Sequence, residues 1–449
     1  MSKIRYILLI TLTLLVSVQG FSQDKELIQV VVGNEGNFNA ANATLTNYVI
    51  ESNTATDGVF LDANGVNLGD VAQSISWIDD QIYVVLNNSQ KIVVLDPDTF
   101  QQTGQISLGE GSSPREIVKV GEGKAYVTDL YASAVYNVDL NDYSVADSTI
   151  PAGKNADRII NHQGYAYVAN NGFGADSTIF KIDVATDTVV DTLMVSRGPA
   201  GMAIDSDNTL WVVCTGYAGD YDDNWNLIEG TARPGGVHGI DLDTGEQVAH
   251  GELQSAGSDI ALNEEEGKLY VNAGGVRAYD IATAEFAADT LVKGSFYAMG
   301  YEPVANNFYL ADAKDFSSAG EVTIYGEQNG NTTTFDAGII PGSFLFVYDD
   351  MTTTSTETED IATHFTLEQN YPNPFNPTTN IKFSLARAGK VSLTIFTATG
   401  QKVAELINDY RPAGVHSVHF DASVLASGVY IYRVGTEHGS QAKKMILLK

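Results

Sequence analysis

The chain has 449 residues, a formal charge of −31 and a single cysteine, Cys214. That length is enough for two or three domains with a large core, and one cysteine excludes any disulfide within the chain. Residues 23–360 hold 51 Asp and Glu against 14 Lys and Arg, whereas residues 361–449 hold 5 against 9; so acidic a larger part repels phosphate backbones and speaks against nucleic acid as a partner.

Residues 1–22 read as a cleaved secretory signal peptide: Lys3 and Arg5 precede the apolar run from Ile7 to Val18, and Gly20, Phe21 and Ser22 supply small residues near a cleavage point. No later apolar run reaches transmembrane length, and no cysteine follows the leader's apolar run to carry a lipid. The chain is therefore expected to be exported without a transmembrane segment.

From Leu27 to Phe60, the runs Ile28–Val32, Thr44–Val49 and the stretch up to Phe60 read as three strands that lack a first partner. A repeat follows. An aromatic-aliphatic pair returns as Tyr83-Val84, Tyr126-Val127, Tyr167-Val168, Trp211-Val212, Tyr270-Val271 and Tyr309-Leu310, at intervals of 43, 41, 44, 59 and 39 residues. Between returns lie four short alternating runs closed by Gly, Asn or Asp, as in Pro114 to Gly153, which is the pattern of a four-stranded propeller blade. Repeats begin near Val71, Pro114, Asn155, Pro199, Gly257 and Phe296. The third run of the first five ends in Asp (Asp96, Asp139, Asp183, Asp241, Asp280). Asx-type turns explain those aspartates better than metal binding does.

The stretch Gly338 to Val347 reads as a first strand with nothing after it. Paired with the segment at Ile28–Val32 it completes a seventh blade and closes a ring without free sheet edges. The sequence thus predicts an all-β chain: a seven-bladed β-propeller over 23–349, a packing-poor linker over 350–362, and, over 363–449, a small immunoglobulin-like β-sandwich of about seven strands.

Binding candidates follow from the topology, because loops between second and third strands gather with the inter-blade loops around one mouth of the channel. The interval of 59 marks an insertion, Gly216 to Gly236, that carries Tyr217, Tyr221 and Trp225. Aromatics on a loop either stack on a ligand or fold back as a lid, and both readings stay open. Phe38, Tyr131, Phe173 and Phe316 follow second strands, and Arg115, Arg158 and Arg197 stand at blade starts, where a guanidinium either holds an anionic ligand or neutralises neighbouring carboxylates. Asp220, Asp222, Asn224 and Asn226 have calcium-loop spacing, but Trp225 replaces the glycine such a loop needs and Thr231 its last carboxylate. His162, His238 and His250 are not at metal-ligand spacing, Cys214 on a second strand reads as a buried inert thiol, and no catalytic constellation emerges. No cofactor is implied. Binding of a small ligand, a glycan or a surface protein is expected rather than conversion, with a propeller hydrolase or lyase as the competing reading.

Residues 371–377 (Tyr371 to Pro377), Gly400 with Lys402 and Val403, Pro412 to Gly414, Leu425 to Tyr430 and Lys443 to Met445 resemble the type A sorting domain of the type IX secretion system. The resemblance implies engagement with that machinery, passage across the outer membrane, and then release or retention at the cell surface. The larger part resembles YncE-type seven-bladed propellers of Bacteroidota through Pro114 to Ile117 before Ala125 to Val127, Gly153 to Arg158 before Ala166 to Asn170, and Asp183 to Val190. That group implies ligand binding of varied kinds, including capture of corrinoids such as cobalamin at the cell surface.

Overall fold

The computed structural model describes residues 26–220, 222, 226–349, 366–367, 370, 372–385, 389–397, 402–411, 414–423, 425–436 and 439–448. The signal peptide assigned to 1–22 and the linker assigned to 350–362 lie outside them. Among the described residues, 27–348 form seven four-stranded antiparallel sheets. Six are consecutive in sequence, spanning 72–107 (blade 2), 114–151 (blade 3), 156–194 (blade 4), 199–253 (blade 5), 260–286 (blade 6) and 298–339 (blade 7).

Blade 1 joins the two ends of the repeat: Pro341–Tyr348 pairs with Leu27–Asn34, which continues to Thr44–Val49 and Thr54–Asp57. Val32 opposes Phe344 and Gln29 opposes Val347, so the expected ring closure is present. Two boundaries differ from expectation. Gly338 and Ile339 end the last strand of blade 7, Thr332–Ile339, and Ile340 turns the chain with a φ of 56°. Phe60 leaves the sheet for the short helix Val59–Asn64 and is buried.

The second strands are buried on both sides, which explains their unbroken apolar runs. Each interface between neighbouring blades is its own apolar cluster, and the recurring aromatic lies in it: Tyr83 packs toward blade 3, Tyr126 toward blade 4, Tyr167 toward blade 5, Trp211 toward blade 6, Tyr270 toward blade 7 and Tyr309 toward blade 1. A seventh cluster joins blades 1 and 2 through Val31, Leu45, Val84 and Val347. A buried phenol needs a polar partner. Asp187 of blade 4 bonds Tyr126, and Glu327 of blade 7 bonds Tyr270.

The repeated aspartates do make turns: Asp96 accepts from the Thr99 N–H, Asp139 from Asn141, Asp183 from Ala185, Asp241 from Asp243 and Asp280 from Thr283, all within 2.8–2.9 Å. Fourth strands are the least regular. In blade 3 the fourth strand is only Ile150–Pro151, because Tyr143 adopts a φ of 62° and lays its ring over Gly104 of blade 2, where a Cβ would sit 2.2 Å from it.

Residues 366–447 form a three-stranded and a four-stranded sheet that share one apolar core including Phe375, Phe383, Leu393, Tyr432 and Met445. The seven strands match the expected number, and one of them is the long strand Lys402–Arg411.

A candidate ligand-binding face

Within each blade the first strand runs away from one face and the second returns to it. The loops after second strands and those leading into the next blade therefore share that face, and the first strands line the channel. Gln73, Arg115 and Asp157 occupy equivalent places on the first strands of blades 2, 3 and 4, and the mouth of the channel is built around them.

Arg115 donates through Nε to Asp157 Oδ1 at 2.8 Å and bonds the Gln73 side chain, so one guanidinium bridges three blades. Arg158 lies 3.7 Å from Glu116 and 4.0 Å from Asp259, reaching across to blade 6. The Asp259 carboxylate also accepts from Asn272 Nδ2 at 3.0 Å. Glu35, in the first loop of blade 1, accepts from the Tyr297 hydroxyl at 3.0 Å. The two guanidiniums thus stand among four carboxylates that are largely withdrawn from water.

Burial raises the carboxyls of Glu35 and Glu116 above the ordinary range, although Tyr297 and the arginines pull Glu35 back and Arg158 pulls Glu116 back. Burial acts on Asp157 too, but Arg115 and Arg158 outweigh it and hold that carboxyl below its usual value. One cluster therefore holds acids displaced in opposite directions.

Exposed rings stand around this mouth. Phe38, Tyr131, Phe173 and Phe316 are 69%, 69%, 67% and 51% exposed, all on loops after second strands. Such rings add nothing to the blade cores. The Asp129 carboxylate accepts from the N–H groups of Tyr131 and Ala132 and, through its other oxygen, from Ser113, which ties the Tyr131 loop to the blade start. Asn37 Nδ2 donates to the Phe316 carbonyl at 2.7 Å, and Tyr297 meets the Phe316 ring edge-on at 5.7 Å.

The inserted loop is only partly described: Tyr221, Asn224 and Trp225 lie outside the described residues. Tyr217 is half-buried, pairs through its backbone with Arg233, donates its hydroxyl to Asp220 at 2.6 Å, and lies under the Arg197 guanidinium at 4.8 Å. Arg197 is thereby engaged with the insertion. Asp222 accepts from the backbone and side-chain amides of Asn226, at 2.8 and 3.1 Å, so these two close a turn on each other. Among the described residues no three His, Cys, Asp or Glu side chains are grouped to hold a metal ion. Cys214 is buried, and burial pushes its thiol up.

Glu35, Gln73, Glu116, Asp157, Asp259 and Tyr297 were not singled out from the sequence. Two of them carried a signal: Gln73 and Asp157 lie 42 residues before and after Arg115, in phase with the repeat. A pair of histidines also escaped notice, because His238 and His250 oppose one another only across paired strands, with ring centres 4.7 Å apart.

Compared with known proteins, residues 30–332 match the family described as a domain of unknown function (DUF5074), and residues 369–448 match the secretion system C-terminal sorting domain. The latter match routes the protein through type IX secretion to the cell surface or the medium. No helix among the described residues is long and apolar enough to cross a membrane. The comparison with curated proteins gives no match. Similar solved structures include Kuenenia stuttgartiensis hydrazine synthase, at 18% identity over 57% of this chain and 77% of that one, with a TM-score of 0.47. Apo AztD from Citrobacter koseri is 11% identical over 72% of this chain and 98% of that one, with a TM-score of 0.47. Dihydro-heme d1 dehydrogenase NirN is 11% identical over 72% and 76%, with a TM-score of 0.46.

Proposed function

The chain belongs to the DUF5074 family and ends in a sorting domain, and from that premise we propose that it is an extracellular binding protein: a YncE-type propeller, residues 23–349 after removal of a signal peptide, that captures a ligand on the face around the channel mouth. The observation that carries this reading is the set of exposed rings at Phe38, Tyr131, Phe173 and Phe316 around a floor of fixed charges and hydrogen-bonding groups. Rings supply contact area at small conformational cost, and a preorganised polar floor supplies orientation. Residues 363–449 serve delivery.

A thermal-shift screen of the exported chain against glycans, corrinoids and calcium tests this, because a ligand of the folded state raises its melting temperature. A hit should lose its effect in Tyr131→Ala and Phe38→Ala while the free proteins melt alike. A hit that both variants bind as tightly as the parent rejects this face as the site.

A further inference from the structure

Phe173 and Phe316 differ from the other exposed rings in their backbone. Phe173 has a φ of 51° between Gly172 at 58° and Gly174 at 79°, and Phe316 has a φ of 60°. A bulky side chain in the left-handed region is strained, and a ring left in water returns little of that strain through burial. Gly174 packs against Gly216 and Tyr217 of the insertion, and the Phe316 loop is bonded to that of Phe38, so both strained turns are held in place by their neighbours. The two rings belong to blades 4 and 7, with blades 5 and 6 between them on one side and 1 to 3 on the other. Their blades therefore stand on opposite sides of the ring.

Resting on the reading above, we propose that this face docks a basic polypeptide segment, with Phe173 and Phe316 as its two anchors and an arginine or lysine side chain entering between them. The span of the anchors over opposite blades suits a macromolecule rather than a small ring. Charge chooses the kind of partner. Four carboxylates at the mouth face two guanidiniums that are already engaged with them, and the larger part of the chain is acidic throughout, with 51 acidic against 14 basic side chains over residues 23–360. A cation that enters gains both the surplus carboxylates and the faces of the flanking rings. The raised carboxyls of Glu35 and Glu116 accord with this, since a bound cation would stabilise their ionised forms.

The probes are two amidated nonapeptides, Trp-Gly-Gly-Gly-Arg-Gly-Gly-Gly-Trp and its neutral isostere with citrulline in place of arginine, long enough when extended, at about 3.3 Å per residue, to reach across the mouth, titrated into the exported chain. The arginine peptide should bind about tenfold or more tightly than the citrulline peptide, and should weaken as salt rises from about 50 to about 500 mM. Phe173→Asn, which suits the left-handed backbone, should melt no lower than the parent yet bind the arginine peptide about tenfold less tightly. Equal affinity for the two peptides, or binding of neither, overturns the proposal while leaving the face open to an uncharged ligand found by the thermal-shift screen. A melting temperature that falls in Phe173→Asn also overturns it, because the ring would then be part of the fold.

Discussion

Tyr126 and Arg115 sit on adjacent strands of blade 3, yet the surroundings that hold them are opposite in kind. Tyr126 is sealed between two sheets in an apolar cluster, and its one polar atom is met by Asp187 of the next blade. Arg115 stands at the channel mouth among Gln73, Asp157 and nearby carboxylates, where charge rather than packing joins the blades. The blade interfaces show how a repeat stabilises itself: each unit covers its neighbour's apolar face, and the ring closes because the last segment covers the first. The mouth shows where the repeat stops being a repeat, since equivalent first-strand places hold Gln73, Arg115 and Asp157 in turn.

The largest effect should come from the closing strand. Val347→Asp would bury a charge in the cluster that joins blades 1 and 2, where Val347 is fully enclosed, at a cost above about 4 kcal/mol; soluble yield and melting temperature report it, and near-normal melting would mean the closure matters little. Tyr126→Ala should cost about 3–5 kcal/mol in chemical denaturation, because it opens a cavity between blades. Arg115→Ala should cost less, about 1–3 kcal/mol, since it strips Asp157 of its closest partner at a site still reached by water. The stability that Asp157 contributes is present above its unfolded value and lost as pH falls through its lowered folded value, so the gap between Arg115→Ala and the parent should narrow in acid.

Glu35→Gln should act in the other direction and weakly. Its folded carboxyl is raised, so the protonated form is favoured in the fold and that stability is lost as pH rises through the folded value. The variant should therefore melt slightly higher than the parent near neutrality, by about 1 °C, with the difference vanishing below about pH 4. Tyr131→Ala should change stability least, within about 0.5 kcal/mol, as expected for an exposed loop ring.

How much was legible beforehand differs between these two regions for the same reason. Packing between blades leaves a periodic trace, because every second strand must be apolar on both sides and every third strand must turn. The aromatic pairs and the closing aspartates could therefore be counted along the chain. The strand boundaries near Ile340 and Phe60, and the loss of a regular fourth strand after Tyr143, rested on local contacts with other blades that no period encodes. Exposed rings at Tyr131, Phe173, Phe38 and Phe316 were foreseeable from their place after second strands. Glu35, Glu116 and Asp259 were not, since acidic residues are common throughout this chain and nothing local distinguishes those that face the channel.

The sequence by itself determined the repeated sheet, the ring that joins the two ends of the repeat, the buried thiol at Cys214 and the delivery domain, because each rests on alternation, spacing or an ordered local motif. Only the tertiary structure decided which charges meet. Arg115 with Asp157, Arg158 with Asp259 and Tyr297 with Glu35 lie 42, 101 and 262 residues apart, and their pairing depends on the curvature of the closed ring, which brings the starts of separate blades to one axis.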